Sequence, residues 1–247
     1  MHSKNGEIGR FISQDFSSLH SPEKFLFDPQ QLNLYSYVRN NPLNYIDPLG
    51  LELRINGTQE YANTTFQSLQ QIYSNIVMTK VDNNNNYVVT FREGVKLDNS
   101  KSSQLLRQAI LPSNVITITM PSDGRNGTSG NSLDAQFKKP TDATIYFAPS
   151  DKSATPVYNP KDKKVTWEST PSWLGLAHEM IHGLHLIYGD YTMGGDDYKG
   201  VNGKIYKSDN GANNEEVRTV GLGHNRKYEV TENNLRREKG LKLRNNY

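Results

Sequence analysis

The sequence predicts an α+β domain preceded by a short, irregular, β-like segment, and three observations point there. Runs rich in β-branched residues alternate with segments whose apolar residues recur at helical spacing. With 14 Tyr, 8 Phe and 2 Trp among 247 residues, the chain is too aromatic to be disordered and has the material for a core. The texture also changes near position 51: before it no helical period persists, and after it strands and helices alternate.

Taken in order, residues 1–51 carry apolar side chains such as Phe11, Phe25, Leu34 and Tyr37, but Pro22, Pro29, Pro42 and Pro48 interrupt them. That pattern reads as short strands and turns. Leu53–Ile55 reads as a strand. Thr58–Asn75 reads as a helix, with Tyr61, Phe66, Leu69, Ile72, Tyr73 and Ile76 at near-helical spacing. Asn83–Asn86 is a turn into the strand Tyr87–Phe91. Ser102–Leu111 is a short helix halted by Pro112, and Val115–Met120 is a strand. Asp123–Asn131, with Gly124, Gly127 and Gly130, reads as a flexible loop, and its lack of a Gly-Lys-Ser/Thr ending excludes a phosphate loop. Ala143–Ala148 is a strand, and Ser150–Ser169 a polar loop holding a strand-like Lys164–Trp167. Pro171 stands where helices begin, and Trp173–Tyr188 runs Pro-free to Gly189, a typical helix stop. Shorter helices are expected at Glu215–Val220 and Thr231–Lys239. The expected organisation is therefore two regions, 1–51 and 52–247.

Composition excludes several classes. Lys+Arg 28 against Asp+Glu 26 leaves a net charge of +2, which advertises neither a nucleic-acid nor a membrane-surface partner. Residues 226–247 are locally basic, and an amphipathic solvated helix accounts for that as well as a grip on an acidic partner does. No run approaches the roughly 18 apolar residues of a membrane span. The N-terminus lacks the apolar stretch of a secretory signal, so any export is expected to use another route. With no cysteine there can be no disulfide, thiolate nucleophile, iron–sulfur cluster or Cys-ligated zinc, and any metal must be held by His and carboxylate.

Chemistry concentrates in His178-Glu179-Met180-Ile181-His182, inside the expected helix 173–188. Residues four apart lie one turn above each other, so both imidazoles face one way and can grip one ion. Glu179, next in sequence to the first histidine, can reach a water on that ion and act as general base. The apolar flanks Leu174, Leu176, Ala177, Ile181, Leu184 and Ile187 mark the helix as buried rather than as a surface helix with two solvated histidines. A catalytic zinc keeps three protein ligands and an open position. The third could come from His185, His224 or the pair Glu215-Glu216. His185 is awkward, because a straight helix cannot wrap three ligands around one ion. Spacing alone does not choose between the two glutamates, although Asn213-Asn214 supplies a credible helix start before them.

Two resemblances bear on this choice. His178-Glu179-Met180-Ile181-His182-Gly183-Leu184-His185-Leu186-Ile187-Tyr188-Gly189, followed by Glu215-Glu216-Val217-Arg218-Thr219-Val220-Gly221, resembles the metal site of clostridial neurotoxin light chains. The resemblance implies a zincin-like, gluzincin-type zinc metallopeptidase with His178, His182 and Glu216 on Zn2+, and Glu179 as catalytic base. Together with Thr231–Leu241 and Arg244-x-x-Tyr247, the same motifs are similar to bacterial effector metallopeptidases, including injected effectors that clip host MAP kinases. By that resemblance Arg244 and Tyr247 place a cation and a phenol over the developing oxyanion. Glu215 and His185 are then expected behind the ligands, orienting them or packing in the core.

Residues 1–51 resemble the end of the Rhs core domain, through Gly9–Asp15 and the block Leu32–Leu51 that ends Asp47-Pro48-Leu49-Gly50-Leu51. Asp47 matches the second aspartate with which self-cleaving members cut after this block, whereas Asp15-Phe16 and Asp28-Pro29-Gln30-Gln31 depart from the first. The resemblance implies that 52–247 is toxin cargo, secreted or injected without a signal peptide and acting in the cytosol of a target cell. It further implies a protein substrate, an Rhs- or Tc-type delivery shell and an immunity protein as partners. Two alternatives from other classes are a delivered toxin acting on nucleic acid and a non-catalytic delivery or structural fragment. The zinc-deaminase form of the first needs cysteines this chain lacks. A strand such as Ala143–Ala148 is expected to pair with an extended substrate.

Overall fold

Alternating burial along the strands after residue 52 defines the inner face of a six-stranded sheet. Leu53 and Ile55, Tyr87 and Val89, Ile116 and Ile118, and Ala143 and Ile145 are all buried, with more accessible residues between them. The computed structural model describes residues 53–112, 114–207, 214–222 and 229–247, together with the paired strands β1 (Lys4–Asn5) and β2 (Arg10–Phe11). The chain divides into two compact units, Met1–Gly50 and Leu51–Tyr247. Apart from Arg10 and Phe11, the Rhs-like blocks lie outside the described residues.

The main sheet comprises β3 (Leu53–Asn56), β4 (Ile76–Lys80), β5 (Asn86–Phe91), β6 (Ile116–Thr119), β7 (Gly127–Gly130) and β8 (Ala143–Tyr146), in the order β4-β5-β3-β6-β8-β7. Its centre, β3, β6 and β8, is parallel, and β5, β4 and β7 run antiparallel to their neighbours. Parallel neighbours need crossovers, and that from β3 to β6 contains helices α1 (Gln59–Ile72) and α2 (Lys101–Ile110), each started by a side-chain cap. The Thr58 hydroxyl accepts from the Tyr61 amide, and that of Ser100 from the Ser103 amide. A five-residue helix, α3 (Ser132–Gln136), leads into β8.

Helix α4 (Ser172–Ile187) is the centre of the molecule. Leu174, Leu176, Ala177, Met180 and Ile181 are fully buried, and the burial extends around the helix rather than along one stripe. A helix apolar on all sides must be enclosed, and α4 packs on β7 and β8 and against α1, α2, α5 (Asn214–Val220) and α6 (Glu232–Glu238). It stops at Gly189, whose φ of +62° is left-handed and whose missing Cβ would lie 2.8 Å from the backbone of Lys138 and Lys139. Beside the cleft stands a second sheet, β10 (Lys164–Ser169), β9 (Ala154–Asn159) and β13 (Leu243–Arg244), in the order β10-β9-β13. The hairpin β11 (Tyr198–Lys199) and β12 (Ile205–Tyr206) packs Tyr198 with Val217, Val220 and Leu222 into a small separate cluster. Among the described residues no helix is long and apolar enough to cross a membrane.

Four expectations need correction. The glycine-rich segment 123–131 is not all loop, because Gly127–Gly130 forms β7 on the rim of the sheet. Glycine there reflects packing: a Cβ on Gly130 would meet Leu186 Cδ1 at 2.8 Å. The first helix ends at Ile72 rather than Asn75, since the chain turns extended at Tyr73 and Ile76 begins β4, which pairs with β5. The polar stretch 150–169 is a hairpin whose first arm, β9, buries Thr155, Pro156 and Val157. The last concerns substrate pairing. β8 lies between β6 and β7, so both its edges are hydrogen-bonded and Ala143–Tyr146 cannot accept a substrate strand, whereas among the described residues one edge of β7 is unpaired.

Candidate metal centre and active site

The i, i+4 spacing places His178 and His182 on one side of α4, their rings 4.9 Å apart and nearly perpendicular. Helix α5 brings up Glu216, whose Oε2 lies 3.2 Å from His178 Nε2 and 3.1 Å from His182 Nε2; the two Nε2 atoms are 3.2 Å apart. Three donors at tetrahedral positions about 2.0–2.1 Å from a common ion would be about 3.3–3.4 Å apart. The observed triangle fits such an ion closely. Residues His178, His182 and Glu216 thus form a set able to hold a metal.

Each histidine is held by its other nitrogen. His178 Nδ1 is 2.9 Å from Glu232 Oε2, and His182 Nδ1 is 3.0 Å from Glu215 Oε1 and 3.2 Å from the Thr219 hydroxyl. Carboxylates at Nδ1 fix the tautomer that presents Nε2 to a metal. Adjacent residues on a helix point about 100° apart, and α5 exploits that: Glu216 meets the Nε2 side of His182 while Glu215 meets Nδ1. Glu215 also accepts from His185 Nδ1 and, at 3.0 Å, from the Thr192 amide. The group His182, His185 and Glu215 is therefore satisfied as a hydrogen-bond cluster. His185 Nε2 faces Glu229 at 3.2 Å, and Arg218 joins Glu229 to Asp190. His224 lies outside the described residues, as does Asn213.

The electrostatics follow from burial and these contacts. Burial alone would raise the Glu216 carboxyl, but the bonds to His178 and His182 outweigh it and hold Glu216 well below the carboxylate range. Burial likewise opposes Glu215, yet His182 and His185 bring it down to about 2. Glu232 is held low against its complete burial, with the charge of Arg244, the bond to His178 and the charge of Arg236 all favouring the anion. Burial would depress His182, but Glu215 and Glu216 raise it to about 10 in the metal-free protein; His178 is raised in the same way by Glu216 and Glu232. The site is a nest of buried carboxylates that favours a cation.

Glu179 is half-buried and lines a cleft of about 250 Å³ with His178, Glu232, Arg244 and Tyr247. Arg244 Nη1 bonds Glu232 at 3.0 Å, and its guanidinium stacks 4.7 Å from the Tyr247 ring centroid. Reciprocal bonds between the Asn233 side chain and the Arg244 backbone, at 2.9 and 2.8 Å, tether β13 beside α6. Burial, then the neighbouring Glu216 charge, pushes the Tyr247 phenol to about 12, so it keeps its proton at neutral pH. The structure therefore gathers His178, Glu179, His182, Glu216, Arg244 and Tyr247 around one cleft, with Glu215 and His185 behind it. Glu232, Glu229, Thr219 and Thr128 were not singled out by sequence reasoning. Only Glu232 had a local signal, a carboxylate following the helix cap Thr231.

Two cations of the basic tail are internal, while Arg237, Lys239 and Lys242 are exposed. Arg236 and Arg244 pair with Glu232, and Lys242 pairs with Glu168. Internal ion pairing accounts for Arg236 and Arg244, and the exposed Arg237 and Lys239 fit the solvated face of α6.

Fold and site together define a mixed α/β protein with a candidate His/His/Glu metal centre beside a cleft that His178 lines. The chain belongs to the Peptidase M91 family of effector proteins, which it matches over residues 55–247. Among solved structures it is similar to the light chain of botulinum neurotoxin type G, at 17% identity and a TM-score of 0.40, over 67% of this chain and 44% of that one. The serotype F light chain of Clostridium botulinum is 14% identical with a TM-score of 0.33, over 57% and 39%. The zinc-removed apo form of the type C light chain is 20% identical with a TM-score of 0.29, over 59% and 32%. This chain spans less than half the length of these light chains. No curated protein sequence matches it.

Proposed function

We propose that this protein is a zinc-dependent endopeptidase effector that hydrolyses a peptide bond in a protein of the cell it enters. The observation that carries this reading is the triangle of His178 Nε2, His182 Nε2 and Glu216 Oε2, with sides of 3.1–3.2 Å. Membership of a peptidase family supports it. His178, His182 and Glu216 would hold Zn2+, which supplies Lewis acidity to the attacking water and the scissile carbonyl. Glu179 takes the proton of that water and returns it to the leaving amine. Tyr247, protonated at neutral pH, donates to the developing oxyanion, and Arg244 holds its ring by stacking. The open edge of β7 takes the extended substrate backbone by strand addition. Delivery into the target cell from an Rhs- or Tc-type shell completes the proposal. The nucleic-acid alternative loses part of its support, since the charges of Arg236 and Arg244 are spent on the buried Glu232 carboxylate.

The test is proteome-wide profiling of new protein N-termini in host and bacterial lysates treated with wild type or Glu179→Ala. Discrete new N-termini with wild type alone, abolished by chelation and restored by zinc, are expected. Identical N-termini from Glu179→Ala loaded with zinc would refute the role of the base.

A further inference from the structure

Strand β7 does more than close the sheet. Among the described residues it pairs with β8 alone, in the register Thr128↔Ile145, and no strand pairs with its other edge. Alternate residues of a strand share a face, and two positions show which face β7 turns toward α4. At Gly130, an added Cβ would strike Leu186 of that helix. At Thr128, the hydroxyl lies 2.8 Å from Glu179 Oε2 and 3.0 Å from the Glu179 carbonyl oxygen.

A hydroxyl has one proton, and the charged carboxylate is the stronger acceptor of the two. Meeting both oxygens of one residue registers Thr128 Oγ1 against the helix backbone and against the carboxylate together. Glutamate has three side-chain torsions, so an untethered Glu179 would sample many rotamers beside the metal centre. Among the described residues no other group donates a hydrogen bond to the Glu179 carboxylate. Among the described residues the second oxygen, Oε1, accepts no hydrogen bond. Threonine suits the task because branching at Cβ restricts χ1 on a strand.

We propose that Thr128 is a positioning residue for Glu179, holding the carboxylate by Oε2 so that Oε1 faces the attacking water. This rests on the peptidase reading above. It also places the anchor of the base on the strand that receives the substrate, so that Thr128 joins substrate backbone and base through one short edge strand.

The test compares wild type, Thr128→Val, Thr128→Ser and Glu179→Ala on a peptide spanning the cleavage site found by N-terminal profiling. Valine keeps the branched shape without the donor, and serine keeps the donor without the branch. Thr128→Val is expected to lose about 10–100-fold in kcat, the usual range for a partner of a site residue, with KM within about twofold of wild type. Thr128→Ser should recover most of that loss, and zinc content and Tm should match wild type in both. A crystal structure of zinc-loaded Thr128→Val should show the Glu179 carboxylate displaced or in several rotamers. Wild-type kcat in Thr128→Val, a change in KM alone, or no rescue by serine would each overturn the proposal while Glu179→Ala remains inactive. Loss of zinc or of the folded state in Thr128→Val would overturn it in favour of a structural role. If wild type cleaves nothing, the peptidase reading fails and this proposal falls with it.

Discussion

Replacing Glu216 with glutamine and, separately, Glu215 with glutamine distinguishes a metal ligand from its support. Both changes are isosteric and remove one charge, but their surroundings differ. Glu216 Oε2 is the only carboxylate oxygen in the triangle with the two Nε2 atoms. An amide there is neutral and a poorer donor to zinc, so affinity should fall by more than the roughly 10–100-fold that loss of an outer partner costs. The side chain of Glu216 is 21% exposed, so the metal-free Glu216→Gln fold should persist. Glu215 is fully buried, with Oε1 toward His182 and His185 and Oε2 toward the Thr192 amide. Whichever way a glutamine amide is turned, its NH2 faces a buried donor, which leaves at least one group unsatisfied at a cost of about 1–3 kcal/mol. In a unit of this size about 2 kcal/mol lowers Tm by about 4–8 °C. Glu215→Gln should therefore bind zinc about 10–100-fold more weakly, retain reduced turnover and melt earlier, whereas Glu216→Gln should purify metal-poor and fold normally. Competition against a colorimetric chelator reads the affinities, and thermal melts followed by circular dichroism read the stabilities. A metal-poor Glu215→Gln beside a zinc-replete Glu216→Gln would reverse the assignment. Wild-type zinc affinity in both would remove the carboxylate ligand altogether.

Three further predictions concern the same centre. Tyr247→Phe should keep zinc and the fold but lower kcat by about 10²–10³-fold, the cost of one oxyanion donor; steady-state kinetics beside a zinc assay would check it, and unchanged kcat would remove the phenol from the mechanism. In the metal-free protein the raised His182 contributes stability that is complete below the ordinary histidine value and lost as pH rises toward about 10, while the lowered Glu215 contributes stability present above the ordinary glutamate value and lost as pH falls toward about 2. Urea melts of apoprotein should thus peak between about pH 4.5 and 6.5, and apparent zinc affinity should rise from pH 6 to 8 as the metal displaces the His182 proton; a flat affinity would contradict this. Arg218→Ala should lower the urea midpoint by removing the buried guanidinium that links Asp190 to Glu229, but by less than the ~3–5 kcal/mol of a stranded buried charge, because Lys138 and His185 stay beside these carboxylates; an unchanged midpoint would contradict this.

The sequence by itself determined the elements with strong local signals. Helix α4 is legible because its apolar residues run unbroken between Pro171 and Gly189, and His178, Glu179 and His182 share its surface through helical geometry alone. Apolar spacing in Thr58–Asn75 and Ser102–Leu111 likewise marks two further helices, whose caps at Thr58 and Ser100 the structure supplies. Tertiary structure decided whatever depends on partners distant in the chain. Gly127–Gly130 has little intrinsic strand preference and becomes β7 only because β8 pairs with it and Leu186 fills the space a side chain would occupy. Spacing could not separate Glu215 from Glu216, because the choice is set by the angle at which α5 crosses α4, which brings one carboxylate to Nε2 and the other to Nδ1. Glu232 and Thr128 lie 54 and 51 positions from the site residues they bond. No periodicity reaches that far, and only the packing of α6 and β7 around α4 makes them part of the site.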